Sequence, residues 1–174
     1  MNEIINNGKE VIRIEAEAIA DLQNSINEDF VNAVETIFTS SGRVVLTGMG
    51  KSGLIARKIV ATLNSTGTAA IYLHPTDALH GDLGMVRSED VVILISKSGE
   101  TEEISNLLPM LKRLNVKLIA MSGNKESKLA KECDIFLNIA VKEEACPYDL
   151  APTASTTATL ALGDALAVSL LKKR

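Results

Sequence analysis

The sequence predicts an α/β protein, a five-stranded parallel sheet between two helical layers (a three-layer αβα sandwich) with helices added at the N-terminus. Three observations carry this expectation. From residue 43 onward, short apolar runs rich in β-branched residues alternate with segments of helical periodicity, and such alternation builds βαβ units around a parallel sheet. The runs are apolar throughout rather than at every second position, as in DVVILI at 90–95, which fits strands covered on both faces. Each run is followed by glycines, hydroxyls or ionisable residues, and ligands of parallel sheets bind beyond the carboxyl ends of the strands.

Residues 9–26 read as an amphipathic helix, because Val11, Ile12, Ala16, Ile19, Ala20 and Leu22 recur near the helical period. A second helix over 29–39 is stopped by Ser40-Ser41-Gly42. Together they form a helical segment, 1–42, ahead of an α/β region, 43–174, and the length suits one compact domain overall. The strand at 43–47 leads through a glycine-rich turn to a helix at 54–64, and 69–73 and 90–95 are the next strands. A helix over 102–114 opens on two glutamates and continues in spite of Pro109. Strand 117–121, a short helix at 125–132, strand 135–139 and a closing helix at 153–173 complete the order.

Composition removes several classes of function. Net charge is −4 with both signs interspersed, and there is no Trp and only two Tyr. A nucleic-acid partner is therefore not expected, since both the basic footprint and the stacking platforms are missing. Cys133 and Cys146 have no CxxC spacing, which predicts neither a disulfide framework nor a zinc site, and no metal or cofactor is expected. A reduced, cytoplasmic setting is the simplest reading. The N-terminus carries acids and lacks a continuous apolar run, unlike a signal peptide. The apolar stretch 158–171 is 14 residues long and contains Asp164, too short to span a bilayer, so no membrane partner is expected.

Gly48-Met49-Gly50-Lys51-Ser52-Gly53 joins the first strand to a helix. Free backbone N–H groups and the positive helix end suit a phosphate there, which makes Gly50, Lys51 and Ser52 candidates. The spacing also matches a dinucleotide fingerprint, but the acid due near residue 73 is absent from Tyr72-Leu73-His74-Pro75. A Walker glycine would fall on Val45. A plain tight turn is the remaining alternative. Ser96-x-Ser98-Gly99-x-Thr101 is a second candidate phosphate cradle; Ser98 or Thr101 could equally cap the next helix.

Thr153-Ala154-Ser155-Thr156-Thr157 is richer in hydroxyls than a cap requires. Ser155 and Thr156 could line the same pocket, or form the polar start of a core helix. His80, in a Leu-His-Gly-Asp turn, is an acid–base candidate; His74 is less telling. Of Glu143 and Glu144, one could be a general base with its pKa raised by a hydrophobic pocket, or both could be solvated. Glu103 is either a second carboxylate for the same work or a complement to its helix dipole.

The combination GMGKSG (48–53), STGT (65–68), HPTDALHGDLGMV (74–86), SKSGETEEI (96–104), EEACP (143–147) and LAPTASTTATLALGDALAVSLL (150–171) resembles the sugar isomerase (SIS) domain family. Within it the sequence is most similar to the bacterial arabinose-5-phosphate isomerases. The resemblance implies a sheet of flavodoxin-like order and interconversion of D-arabinose 5-phosphate and D-ribulose 5-phosphate, feeding Kdo for lipopolysaccharide or capsule. It implies a sugar phosphate partner and a homotetramer with shared sites. It places catalytic roles on Lys51, His80, Glu103 and Glu144 and phosphate binding on Ser96, Ser98 and Thr101, to which Gly50, Ser52, Ser155 and Thr156 are natural additions. In that scheme Glu144, ahead of Glu103, is the carbon base, Lys51 stabilises an enediolate, and His80 opens the ring or shuttles the oxygen proton. Family members commonly carry Asn at the position of Lys97. They also continue into a His-Pro-Gly-Gly segment, whose histidine is counted in the active site, and often into a CBS pair, neither of which falls within these 174 residues. A phosphosugar sensor without chemistry and an isomerase for another phosphosugar are the alternatives.

Overall fold

The computed structural model describes residues 2–174 and opens with two helices, α1 (Asn2–Asp21) and α2 (Glu28–Thr39). α1 covers 2–21 rather than 9–26. Its first turns expose Ile4 and Ile5 and so carry no buried face for periodicity to reveal. At its other end the chain tightens into a 3₁₀ turn, Leu22–Ser25, that buries Leu22. Asn27 then restarts the helix as the α2 N-cap, its side chain accepting from the amides of Asp29 and Phe30.

Five strands follow: β1 (Val44–Gly48), β2 (Ala70–Tyr72), β3 (Val91–Ile95), β4 (Lys117–Ser122) and β5 (Ile135–Asn138). All pair in parallel in the order β2-β1-β3-β4-β5. β3 is central, and β1 lies between it and the edge strand β2, with Leu46 opposite both Tyr72 and Ile93. Every residue of β1 and β3 is buried, because helices cover both faces. Helices α3 (Gly50–Ser65) and α7 (Ala154–Lys173) lie with α2 on one side. Helices α4 (Pro75–Leu79), α5 (Glu102–Arg113) and α6 (Lys128–Glu132) lie on the other.

Side-chain alternation along each strand divides the core in two. Val44, Leu46, Ile93 and Ile95 meet Phe30, Ile59, Leu63, Leu162 and Leu166. Val45, Val92 and Leu94 meet Ile104, Leu107, Leu108 and Leu111. α1 packs along α7, so the N-terminal helices are joined to the main layers. α7 is long and apolar enough to cross a membrane by length and composition, contrary to the shorter apolar stretch measured in the sequence. Its Ala158, Leu162, Leu166 and Leu170 are buried in the first core, and that packing accounts for its apolar character.

Two further differences bear on function. α3 begins at Gly50, not 54, so Lys51, Ser52 and Gly53 are its first turn rather than a loop before it. The stretch after β2, expected to be irregular, contains α4 and a 3₁₀ turn at Asp82–Met85. Pro75 supports that short helix from its first position, where no N–H is required.

Candidate functional site

In a parallel sheet each helix that directly follows a strand starts at the strands' carboxyl edge. α3, α5 and α7 therefore all point their N-termini to one edge. α3 and α5 start without a capping side chain, since Met49 and Thr101 hold the N-cap positions and neither caps. Their first amides and positive dipole ends are left for a ligand.

The turn into α3 is tight because β1 and β2 grip it. Tyr72 donates from its hydroxyl to the Gly48 carbonyl at 2.8 Å, and the Arg57 guanidinium lies 4.1 Å over the Tyr72 ring. Burial raises the Tyr72 phenol above its ordinary pKa, against the opposing pull of Arg57. At Gly53 a Cβ would come within 2.6 Å of the Tyr72 hydroxyl and against the Gly48 carbonyl, so only glycine fits. This holds the first turn of α3 in place, with Lys51 exposed and Ser52 half-buried.

The Ser96–Thr101 turn is braced from inside. Ser96 and Thr101 share a hydroxyl hydrogen bond of 2.8 Å, and the Ser96 hydroxyl also accepts from the Gly99 amide at 3.0 Å. Thr101 thus spends its side chain on Ser96 rather than on the helix end. The Ser98 hydroxyl accepts from the Glu100 amide at 3.2 Å, a local bond that leaves its side chain exposed. Gly99 has a φ of +72, and a Cβ there would strike the Ser127 side chain.

A cavity of about 190 Å³ opens between α3, the β3–α5 turn and the head of α7, lined by Ser52, Lys97, Ser155, Thr156, Asp149 and Ile55 among others. Ser52, Ser155 and Thr156 are thus brought together as expected. Ser155 Oγ is buried there without a hydrogen-bond partner. Gly50, Lys51, His80, Ser96, Ser98, Thr101, Glu103 and Glu144 do not line this cavity. His80 is exposed at the end of α4, and Glu103 is half-buried in the first turn of α5.

Glu144 departs most from expectation. It is buried, and its Oε2 accepts from the Thr153 amide at 2.8 Å, the Thr153 hydroxyl at 3.2 Å and the Ser155 amide at 3.1 Å. Its Oε1 lies 2.7 Å from Lys97 Nζ. Burial alone would raise its pKa. The Lys97 ammonium, the nearby Ser155 hydroxyl and the α7 amides outweigh it and hold the carboxyl at about 2. The expectation of a hydrophobic pocket and a raised pKa is therefore corrected: Glu144 is the anionic cap of α7, and Glu143 is the exposed member of the pair.

Lys97 and Asp149 were not among the residues the sequence marked as site candidates. Lys97 could have been found, since it stands between two candidate phosphate hydroxyls. Asp149 could not. It reaches the cavity through a turn in which both Tyr148 and Asp149 take left-handed backbone angles, which nothing in their identity announces.

The chain is similar to several known proteins. Over 167 residues the chain is 56% identical to the arabinose 5-phosphate isomerase KdsD of Salmonella typhi, and 58% to that of Yersinia pestis. In each case the alignment takes in 96% of this chain and 51% of the relative, so the chain spans about half the length of the curated relatives it matches. The solved structure of Escherichia coli CFT073 c3406 in complex with arabinose 5-phosphate superposes with a TM-score of 0.95 at 44% identity, covering 99% of this chain and 92% of that one. Residues 37–169, which hold the sheet and all three inward-pointing helix ends, match the SIS domain. The chain belongs to the SIS domain family.

Proposed function

We propose that this chain interconverts D-arabinose 5-phosphate and D-ribulose 5-phosphate. The observation that carries the reading is the edge where two uncapped helix N-termini and the Ser96–Thr101 turn meet a cavity lined by Ser52, Ser155 and Thr156. Backbone amides and hydroxyls in that arrangement suit a phosphate monoester. The likeness to the KdsD enzymes and to a structure bound to arabinose 5-phosphate selects the sugar.

In this reading Gly50, Ser52, Ser96, Ser98, Thr101, Ser155 and Thr156 anchor the phosphate, and that anchor positions carbons 1 and 2. A base removes the proton from carbon 2 of the aldose and returns it to carbon 1. A second group moves a proton from oxygen 2 to oxygen 1. A carboxylate held at about 2 is a weak base, so the order expected of the two glutamates reverses. Glu103 takes the carbon proton and Glu144 fixes the head of α7. Lys51, exposed at the positive end of α3, stabilises the enediolate charge. His80 opens the sugar ring or carries the oxygen proton, supplied from another copy in a homotetramer with shared sites. The aldose, D-arabinose 5-phosphate, serves Kdo synthesis in the cytoplasm.

The test is to incubate the purified chain with D-arabinose 5-phosphate and EDTA while following ribulose 5-phosphate and, separately, the melting temperature. Turnover together with a raised Tm is expected. Neither effect would overturn the reading. A raised Tm without turnover would move it to phosphosugar binding without chemistry.

A further inference from the structure

A lysine on one loop holds a buried carboxylate on another. The Lys97 side chain is 50% exposed and the Glu144 side chain 1%. The two Glu144 oxygens divide their work. Oε2 takes all three hydrogen bonds from the head of α7, whereas Oε1 pairs with the Lys97 ammonium at 2.7 Å. The lysine backbone is equally fixed, because the Lys97 carbonyl accepts from the Gly123 amide at 2.9 Å and from the Ser122 hydroxyl at 3.3 Å. One ion pair thus joins the turn after β3, where Lys97 lines the cavity, to the segment between β5 and α7.

We propose that Lys97 is a positioning residue: it ties the phosphate-binding turn to the Glu144 clasp on α7 and sets the orientation and charge of that carboxylate. Charged groups facing Glu144 are few. From the β3–α5 turn there is Lys97. From α7 there are the amides and hydroxyls of Thr153 and Ser155. α3 contributes only the uncharged Ser52 and Ile55 to the adjoining cavity, Asp149 and Lys97 both line that cavity, and Glu143 is exposed. A buried carboxylate that loses its one counter-ion is strongly disfavoured and takes up a proton instead. With Glu144 neutral, α7 loses its anionic cap and Ser155 and Thr156 lose their fixed position. The positive charge is what holds the pair, so arginine should substitute and methionine, of similar length but uncharged, should not.

The proposal rests on the isomerase reading only for its kinetic arm. In that arm Lys97→Met brings an acid limb into the pH profile of kcat/KM at least about one unit above any wild-type limb, and Lys97→Arg restores the wild-type position. The second arm needs no activity and compares unfolding midpoints between pH 2 and 6. A depressed carboxyl contributes stability above its unfolded value of 4.5 that is lost as pH falls toward about 2. The Tm gap between wild type and Lys97→Met should therefore be wide at pH 6 and close toward pH 2. In a Glu144→Gln background, Lys97→Met should add little. Should Lys97→Met not fold, Lys97→Gln carries the same tests. A gap independent of pH, or additive effects in the double variant, would overturn the proposal whether or not the chain turns over sugar. An unshifted kinetic limb in an active Lys97→Met protein would overturn it as well.

Discussion

Glu103 and Glu144 differ in what surrounds them, and that difference predicts what their replacement does. Glu103→Gln should lower turnover at least about 100-fold with the phosphate cradle intact, because a neutral amide cannot accept the carbon proton. A loss under tenfold, measured by initial rates, would remove it from the base role. At the opposite edge of the sheet Asp90 is buried and accepts from the Arg43 and Arg87 amides and the Arg43 guanidinium. Burial raises its carboxyl, but the Arg43 guanidinium and the two amides hold it below the ordinary aspartate range. Its stabilisation is therefore complete above the unfolded value of 3.8 and is lost as pH falls through the lower folded value. Asp90→Asn should cost about 2–4 kcal/mol at neutral pH, with the difference from wild type shrinking in acid, read by urea unfolding. Glu144 marks the limit of what the sequence disclosed at this scale. The EEACP segment identified the residue, but its environment depends on Lys97 in a different loop and on Thr153 and Ser155 beyond a turn. No local spacing encodes those contacts.

Among the elements, α3 and α7 meet closely at Gly163, where a Cβ would run into the Ile59 side chain. Gly163→Ala sets two effects against each other. Helix propensity gains up to about 1 kcal/mol, while overpacking costs about 1–3 kcal/mol. Ile59 is buried in the first core, so it has little freedom to yield and the cost prevails. Tm should fall by roughly 2–8 °C; an unchanged or higher Tm would mean that Ile59 repacks. The strands were the most legible elements, because burial on both faces demands unbroken apolar runs such as Val91–Ile95. Helix starts were less so. Gly48, Gly50 and Gly53 read together as a glycine-rich loop, yet α3 begins at Gly50, because Tyr72, from outside the local sequence, fixes the turn against Gly48 and Gly53. α4 was missed for a related reason: five residues are too few to display a helical period.

The molecule exposes Ile4, Ile12 and Ile19 along α1, Val31 on α2 and Leu54 on α3. The tetramer proposed above would cover them and would bring His80 to a neighbouring site. Sedimentation equilibrium should give about four times the 18.6 kDa of one chain; a monomer at micromolar concentration would count against shared sites. The two-sided burial of the sheet has a further consequence in time rather than in space. β1 and β3 have no face open to solvent, whereas Pro147–Leu150 is exposed. Deuterium should therefore enter the 147–151 segment within seconds and reach the amides of Val45 and Ile93 only through global unfolding. A sugar phosphate that orders the rim would slow the first class strongly. It would slow the second only by as much as it stabilises the entire protein, so one exchange experiment separates local closure from added global stability.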